Sequence, residues 1–79
     1  MADAPRRADA VWHGSLGQGS GEVSLVSSGA AGPLPVTWAS RTERSNGKTS
    51  PEELIAAAHA SCFSMALSNI LNEGGTPPD

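Results

Sequence analysis

Ser50-Pro51-Glu52-Glu53-Leu54-Ile55-Ala56-Ala57-Ala58-His59-Ala60-Ser61-Cys62-Phe63-Ser64-Met65-Ala66-Leu67 decides how this chain is read. Ser50 is a good N-cap, and Pro51 suits a first helical position that needs no amide hydrogen. Glu53 sits where a capping box places its carboxylate. Glu52 and Glu53 also favour the positive end of the helix dipole. The helix is expected to run from Pro51 to about Leu71, where Gly74-Gly75-Thr76-Pro77-Pro78 stops it. From Leu54 to Leu71, 13 of 18 residues are apolar, and they surround the helix instead of forming one stripe. Such a helix requires burial on nearly every side. It does not read as a membrane span, because His59, Ser61, Ser64, Ser68 and Asn69 interrupt it and much of the remainder is alanine. The small residues Ala56 to Ala58, Ala60, Ser61 and Ser64 leave room for a second helix to approach closely.

Upstream, the chain is punctuated by glycine and serine. Ala10 to Gly14 reads as a short strand with Trp12 on its buried side. Gly14 to Gly21, half of it glycine, reads as a turn. Glu22-Val23-Ser24-Leu25-Val26 alternates polar and apolar residues, the period of a half-buried strand. After the small residues from Ser27 to Gly32, Leu34 to Trp38 gives a third strand, which Pro35 places at an edge or a strand start. A polar loop over 39–50 then leads into the helix. The fold class expected is α+β: an antiparallel β-meander over about 10–38 followed by a long buried central helix. Residues 1–9 are expected to be a flexible N-terminus.

With 79 residues, this is one small domain at most. A chain of this length buries only about 60% of its unfolded surface and needs a further support. One cysteine excludes an internal disulfide, and two histidines beside it make a poor structural zinc set. Oligomerisation or additional polypeptide remains. The net charge is −3 and the five basic residues are scattered, so no nucleic-acid-binding face emerges. Arg6 and Arg7 are followed by no apolar run of the kind a signal peptide needs. A lone cysteine fits a reducing cytoplasm.

Cys62 is that cysteine, and it is either a small core hydrophobe or a nucleophile. His59 lies one turn earlier on the same face, either as a neighbour that tunes the thiol or as a packed polar ring. Gly47-Lys48-Thr49 resembles the tail of a phosphate-binding loop, but the earlier glycine that motif needs is Thr42, and a solvated loop is the better account. No cofactor or metal site is expected. Cys62 lies ~18 Å along the helix from the Ser50 cap, too far for the dipole to activate it. Reaction at neutral pH needs a nearby cation, and Arg41 and Arg44 are the candidates. Glu52 and Glu53 are the carboxylates such an arginine could pair with, although helix-end electrostatics alone would also account for both.

From Pro51 to Leu67 the chain resembles the OsmC/Ohr family of organic hydroperoxide reductases. His59 marks it as similar to the OsmC branch, since tyrosine is usual there in the Ohr branch. Trp12-His13-Gly14, Gly21-Glu22-Val23-Ser24 and Arg41 fall in the order the resemblance predicts. It covers roughly residues 8 to 76 and implies the N-terminal half of such a protein, since family members are about twice this length. It also implies an intertwined homodimer built around central helices, an organic hydroperoxide substrate and a dithiol reductant. Cys62 would match the peroxidatic cysteine, Arg41 the arginine that holds the thiolate, and Glu52 the carboxylate that fixes that arginine, with Arg44 close by as the other candidate cation. Ten residues separate Glu52 from Cys62 on one helix, ~15 Å, so a composite site with Glu52 from the partner is expected. The reading that follows is a thiol peroxidase. Its rivals are a non-catalytic dimerisation or interaction fragment, and an OsmC-like member whose cysteine has no redox role.

Overall fold

The computed structural model describes residues 4–79. β1 (Ala8–His13), β2 (Ser20–Leu25) and β3 (Leu34–Val36) form one antiparallel sheet in the order β1-β2-β3. A short helix α1 (Trp38–Thr42) and the long helix α2 (Pro51–Glu73) follow. This is the expected α+β arrangement of a meander followed by a helix.

The register gathers most of the apolar side chains on one face. Trp12 pairs with Gly21, Ala10 with Val23 and Ala8 with Leu25, while Gly21 and Val23 pair with Val36 and Leu34. Because side chains alternate along a strand, these eight residues share one apolar face. Asp9, His13, Ser20, Glu22 and Ser24 fall on the other, together with Val11 and Pro35. Gly21 belongs on the apolar face for a steric reason: a Cβ there would stand 2.6 Å from the indole of Trp12. The missing side chain lets the ring lie across the strand. Gly14 opens the β1–β2 turn at φ 90°, where side-chain-bearing residues are strained.

β1 starts at Ala8, two residues earlier than the sequence suggests. The expected flexible N-terminus covers 1–9, of which residues 1–3 lie outside the described residues. Ala8 and Asp9 pair with Leu25 and Ser24, and the Arg7 carbonyl accepts from the amides of Val26 and Ser27. β3 stops at Val36 because Thr37 caps α1. The Thr37 hydroxyl accepts from the Ser40 amide, and the Ser40 hydroxyl accepts from the Thr37 amide, both at 3.0 Å. The expected loop over 39–50 therefore contains a helical turn. It closes through Asn46 and Gly47, both at positive φ, and returns Thr49 to Val36 in a parallel bridge.

α2 begins as expected, with the Ser50 hydroxyl accepting from the Glu53 amide at 3.1 Å and Pro51 in the first turn. The capping box is half made: Glu53 accepts from the Thr49 hydroxyl at 2.8 Å. The helix ends two residues later than expected, where Gly74 donates to the Ile70 carbonyl.

The expectation of a buried helix is not met within this chain. No residue of α2 is buried, and Ile55, Phe63, Met65 and Ile70 are largely exposed. The reason is geometric, since three short strands have too little area to enclose 23 residues of helix, and α2 leads away from the sheet. Trp12, expected on a buried side, is 40% exposed because the described residues cover the apolar sheet face only in part. No apolar side chain among the described residues is buried. The Cα radius of gyration is 16.5 Å, against about 12 Å for a compact domain of this length. By length and hydropathy α2 could also cross a bilayer, although His59 and Asn69 would place polar groups within the span.

Candidate functional site

The candidate site lies at the junction of α1 and α2. Arg41 lies in the last turn of α1 and Glu52 in the first turn of α2. The Nε of Arg41 donates to Oε2 of Glu52 at 2.8 Å. The guanidinium also lies 5.6 Å from the centroid of the Trp38 ring, one turn back on α1 and within cation–π range. The hydrogen bond from Arg41 is the main cause that holds the Glu52 carboxyl below its ordinary pKa. A backbone hydrogen bond adds to the effect and slight desolvation opposes it. The two side chains are 45% and 59% exposed, so solvent screens the pair.

Beside Arg41, at the end of the apolar sheet face, is a hollow of about 240 Å³ walled by Trp12, Leu16, Val36 and Trp38, with Arg41 and Pro51 on its boundary. A larger hollow of about 520 Å³ lies along the C-terminal half of α2 against Pro77 and Pro78. Its lining includes no ionisable side chain. The smaller hollow combines an apolar wall with a paired cation.

Cys62 is a free, exposed thiol on α2. Ten residues of helix separate it from Glu52, ~15 Å along the axis. The structure thus brings together Arg41 and Glu52 and leaves Cys62 apart from them within one chain. Arg41 and Glu52 travel together, so any composite site has to join the pair from one chain to a thiol from another. Arg44, the other cation considered, makes no ion pair among the described residues. No group of three His, Cys, Asp or Glu side chains suited to a metal occurs among them either.

Sequence reasoning missed Ser40, Thr49 and Trp38. Thr37-x-x-Ser40 carries a capping signal for α1, but no apolar run follows to mark a helix. The contacts of Thr49 and Trp38 depend on how the chain folds back.

A hydroxyl-rich junction, a paired arginine and a distant thiol do not name a chemistry by themselves. Comparison with known proteins adds the context. Residues 44–78, which include all of α2, match the family described as OsmC-like protein. Peroxiredoxin OsmC of Escherichia coli (strain K12) is 47% identical over 73 residues, 92% of this chain and 50% of the relative. Peroxiredoxin OsmC of Shigella flexneri gives the same identity and coverage. The aligned stretch takes in nearly the whole chain, sheet and helix alike. The chain spans about half the length of these curated relatives, and it belongs to the OsmC-like family.

Proposed function

We propose that this chain carries the peroxide-reacting residues of an OsmC-type thiol peroxidase that reduces organic hydroperoxides in the cytoplasm during oxidative or osmotic stress. The observation that carries this reading is the Arg41–Glu52 pair at the edge of an apolar hollow. The names of the relatives support it. A hydroperoxide has an apolar tail and a polar O–O head. The hollow accommodates the first, while the guanidinium can orient the second and stabilise negative charge at it.

In the proposed reaction the Cys62 thiolate attacks the terminal peroxide oxygen. A sulfur–oxygen bond forms as the O–O bond breaks, and the alkoxide leaves and takes a proton to become an alcohol. The two electrons come from sulfur, which becomes a sulfenic acid. A dithiol then condenses with it, releases water and regenerates the thiol through a mixed disulfide. Glu52 accepts one guanidinium N–H and so aims the others. Because Cys62 lies far along α2, we assign the thiol to a second copy whose helix packs against the first. This homodimer would also supply protein cover for α2, which favours that environment over lipid.

The bare helix also supports the reading of a chain whose role is assembly alone. One experiment separates the two. Intact-mass analysis after an alkyl hydroperoxide should show Cys62 gaining one oxygen, with a slower gain in Arg41→Ala. A chain that assembles but never gains oxygen would be an interaction fragment.

A further inference from the structure

Ser40 is the one buried polar side chain among the described residues, at 8% exposure. Its hydroxyl accepts from the Thr37 amide at 3.0 Å and lies 2.9 Å from the Thr37 carbonyl and 2.8 Å from the Thr49 carbonyl. A serine hydroxyl has one proton to give, so the two carbonyls share it. One belongs to the N-cap of α1, and the other to the residue just before the N-cap of α2. Ser40 therefore ties the two helix starts together across nine residues.

Arg41 is the next residue along α1, and Glu52 lies three beyond Thr49. The Arg41–Glu52 ion pair thus spans the same two segments as the Ser40 bridge, but under different conditions. The ion pair is exposed, and exposed pairs hold their geometry weakly. The Ser40 bridge is shielded and uses both the donor and the acceptor capacity of its hydroxyl. Two further contacts brace it: the Thr49 amide donates to the Pro35 carbonyl at 3.1 Å, and the Thr49 hydroxyl donates to Glu53 at 2.8 Å. The second of these occupies the neighbouring carboxylate and leaves Glu52 for Arg41.

We propose that Ser40 is a positioning residue whose hydroxyl, shared between the carbonyls of Thr37 and Thr49, sets the spacing of α1 and α2 at which Arg41 meets Glu52. The inference rests on the proposed peroxidase role only for its effect on Cys62.

The test uses the 79-residue chain in its assembled state, as Ser40→Ala, Ser40→Thr and Arg41→Met beside the unsubstituted chain. The readouts are the titration midpoint of the Glu52 carboxyl by NMR, helix content, and amide protection in β1 and β2. In Ser40→Ala the Glu52 midpoint should rise by most of the shift that Arg41→Met produces, with helix content and sheet protection retained. Ser40→Thr keeps the hydroxyl and should restore the midpoint. An unmoved midpoint in Ser40→Ala would overturn the proposal, as would Ser40→Thr behaving like Ser40→Ala. Simultaneous loss of sheet and helix would overturn it too, because Ser40 would then sustain the whole fold and not this junction. Cys62 alkylation, followed in parallel, separates the two readings: a shifted Glu52 midpoint with unchanged alkylation upholds the positioning role and counts against the catalytic one.

Discussion

Arg41 and Glu52 meet at 2.8 Å through the Nε edge of the guanidinium. That edge contact leaves the two terminal nitrogens free to face the apolar hollow beside Trp12 and Trp38. A carboxylate that took both terminal nitrogens would occupy those donors. Bound at Nε, it orients the group and leaves donors available. The sequence supplies this arrangement through two adjacent helix ends, each fixed by its own cap.

The pair should show itself in the pH dependence of folding. The folded-state pKa of Glu52 is lowered, chiefly by Arg41. Its contribution is therefore fully present above the ordinary carboxylate pKa of the unfolded chain and is lost as pH falls through the folded value. Helix content against denaturant, for the unsubstituted chain and Glu52→Gln, should differ at neutral pH and converge in acid. Added salt should narrow the neutral-pH difference, because the pair is exposed. A difference independent of pH would mean that Glu52 acts by packing and not by charge.

Cys62 should owe its reactivity to Arg41. Alkylation of the assembled protein, followed against pH, should outpace a free thiol and slow in Arg41→Ala, while Arg44→Ala leaves it unchanged. The opposite pattern would transfer the role to Arg44, which has no ion-pair partner among the described residues. Equal rates in all three proteins would return Cys62 to an ordinary exposed thiol.

How far the sequence revealed these features depended on how local their causes are. The start of α2 was legible because Ser50 and Pro51 act on the backbone within one turn. The alternation in β2 was legible because its period is a property of the strand. The early start of β1 was not, since Ala8 and Asp9 become strand only by pairing with Leu25 and Ser24. α1 was hidden for another reason: five residues give no periodic pattern, and its capping box carries serine where glutamate is the familiar signal. The choice of Arg41 over Arg44 as the partner of Glu52 is tertiary, decided by the fold-back through Asn46 and Gly47.

The chain alone should not persist as a folded monomer. Its accessible surface is 6278 Å², against about 4,500 Å² for a compact monomer of this mass. The excess, about 1,800 Å², is comparable to a whole protein–protein interface. With no apolar side chain buried among the described residues, little offsets an ordering cost of ~1.5 kcal/mol per residue. Sedimentation and circular dichroism over a range of concentrations should show helix content rising with self-association. A compact monomer whose helix content ignores concentration would refute this.

Turnover in the 79-residue chain should depend on an outside thiol. Peroxide attack leaves Cys62 as a sulfenic acid, which returns to the thiol only after condensing with another thiol. This chain has a single cysteine, so no internal disulfide can form. Without reductant it should consume about one equivalent of hydroperoxide per chain and stop, since continued exposure carries the sulfenic acid towards sulfinic acid. Cys62–Cys62 disulfide between chains is the competing product, and the exposure of Cys62 permits it. A small dithiol should restore cycling if it reaches the sulfenic acid before a second peroxide does. Intact-mass spectra with and without dithiol therefore distinguish three states of one residue. Sustained cycling supports the enzyme, a single oxidation that no dithiol reverses supports a chain lacking its reductive half-reaction, and an unchanged mass removes Cys62 from the chemistry altogether.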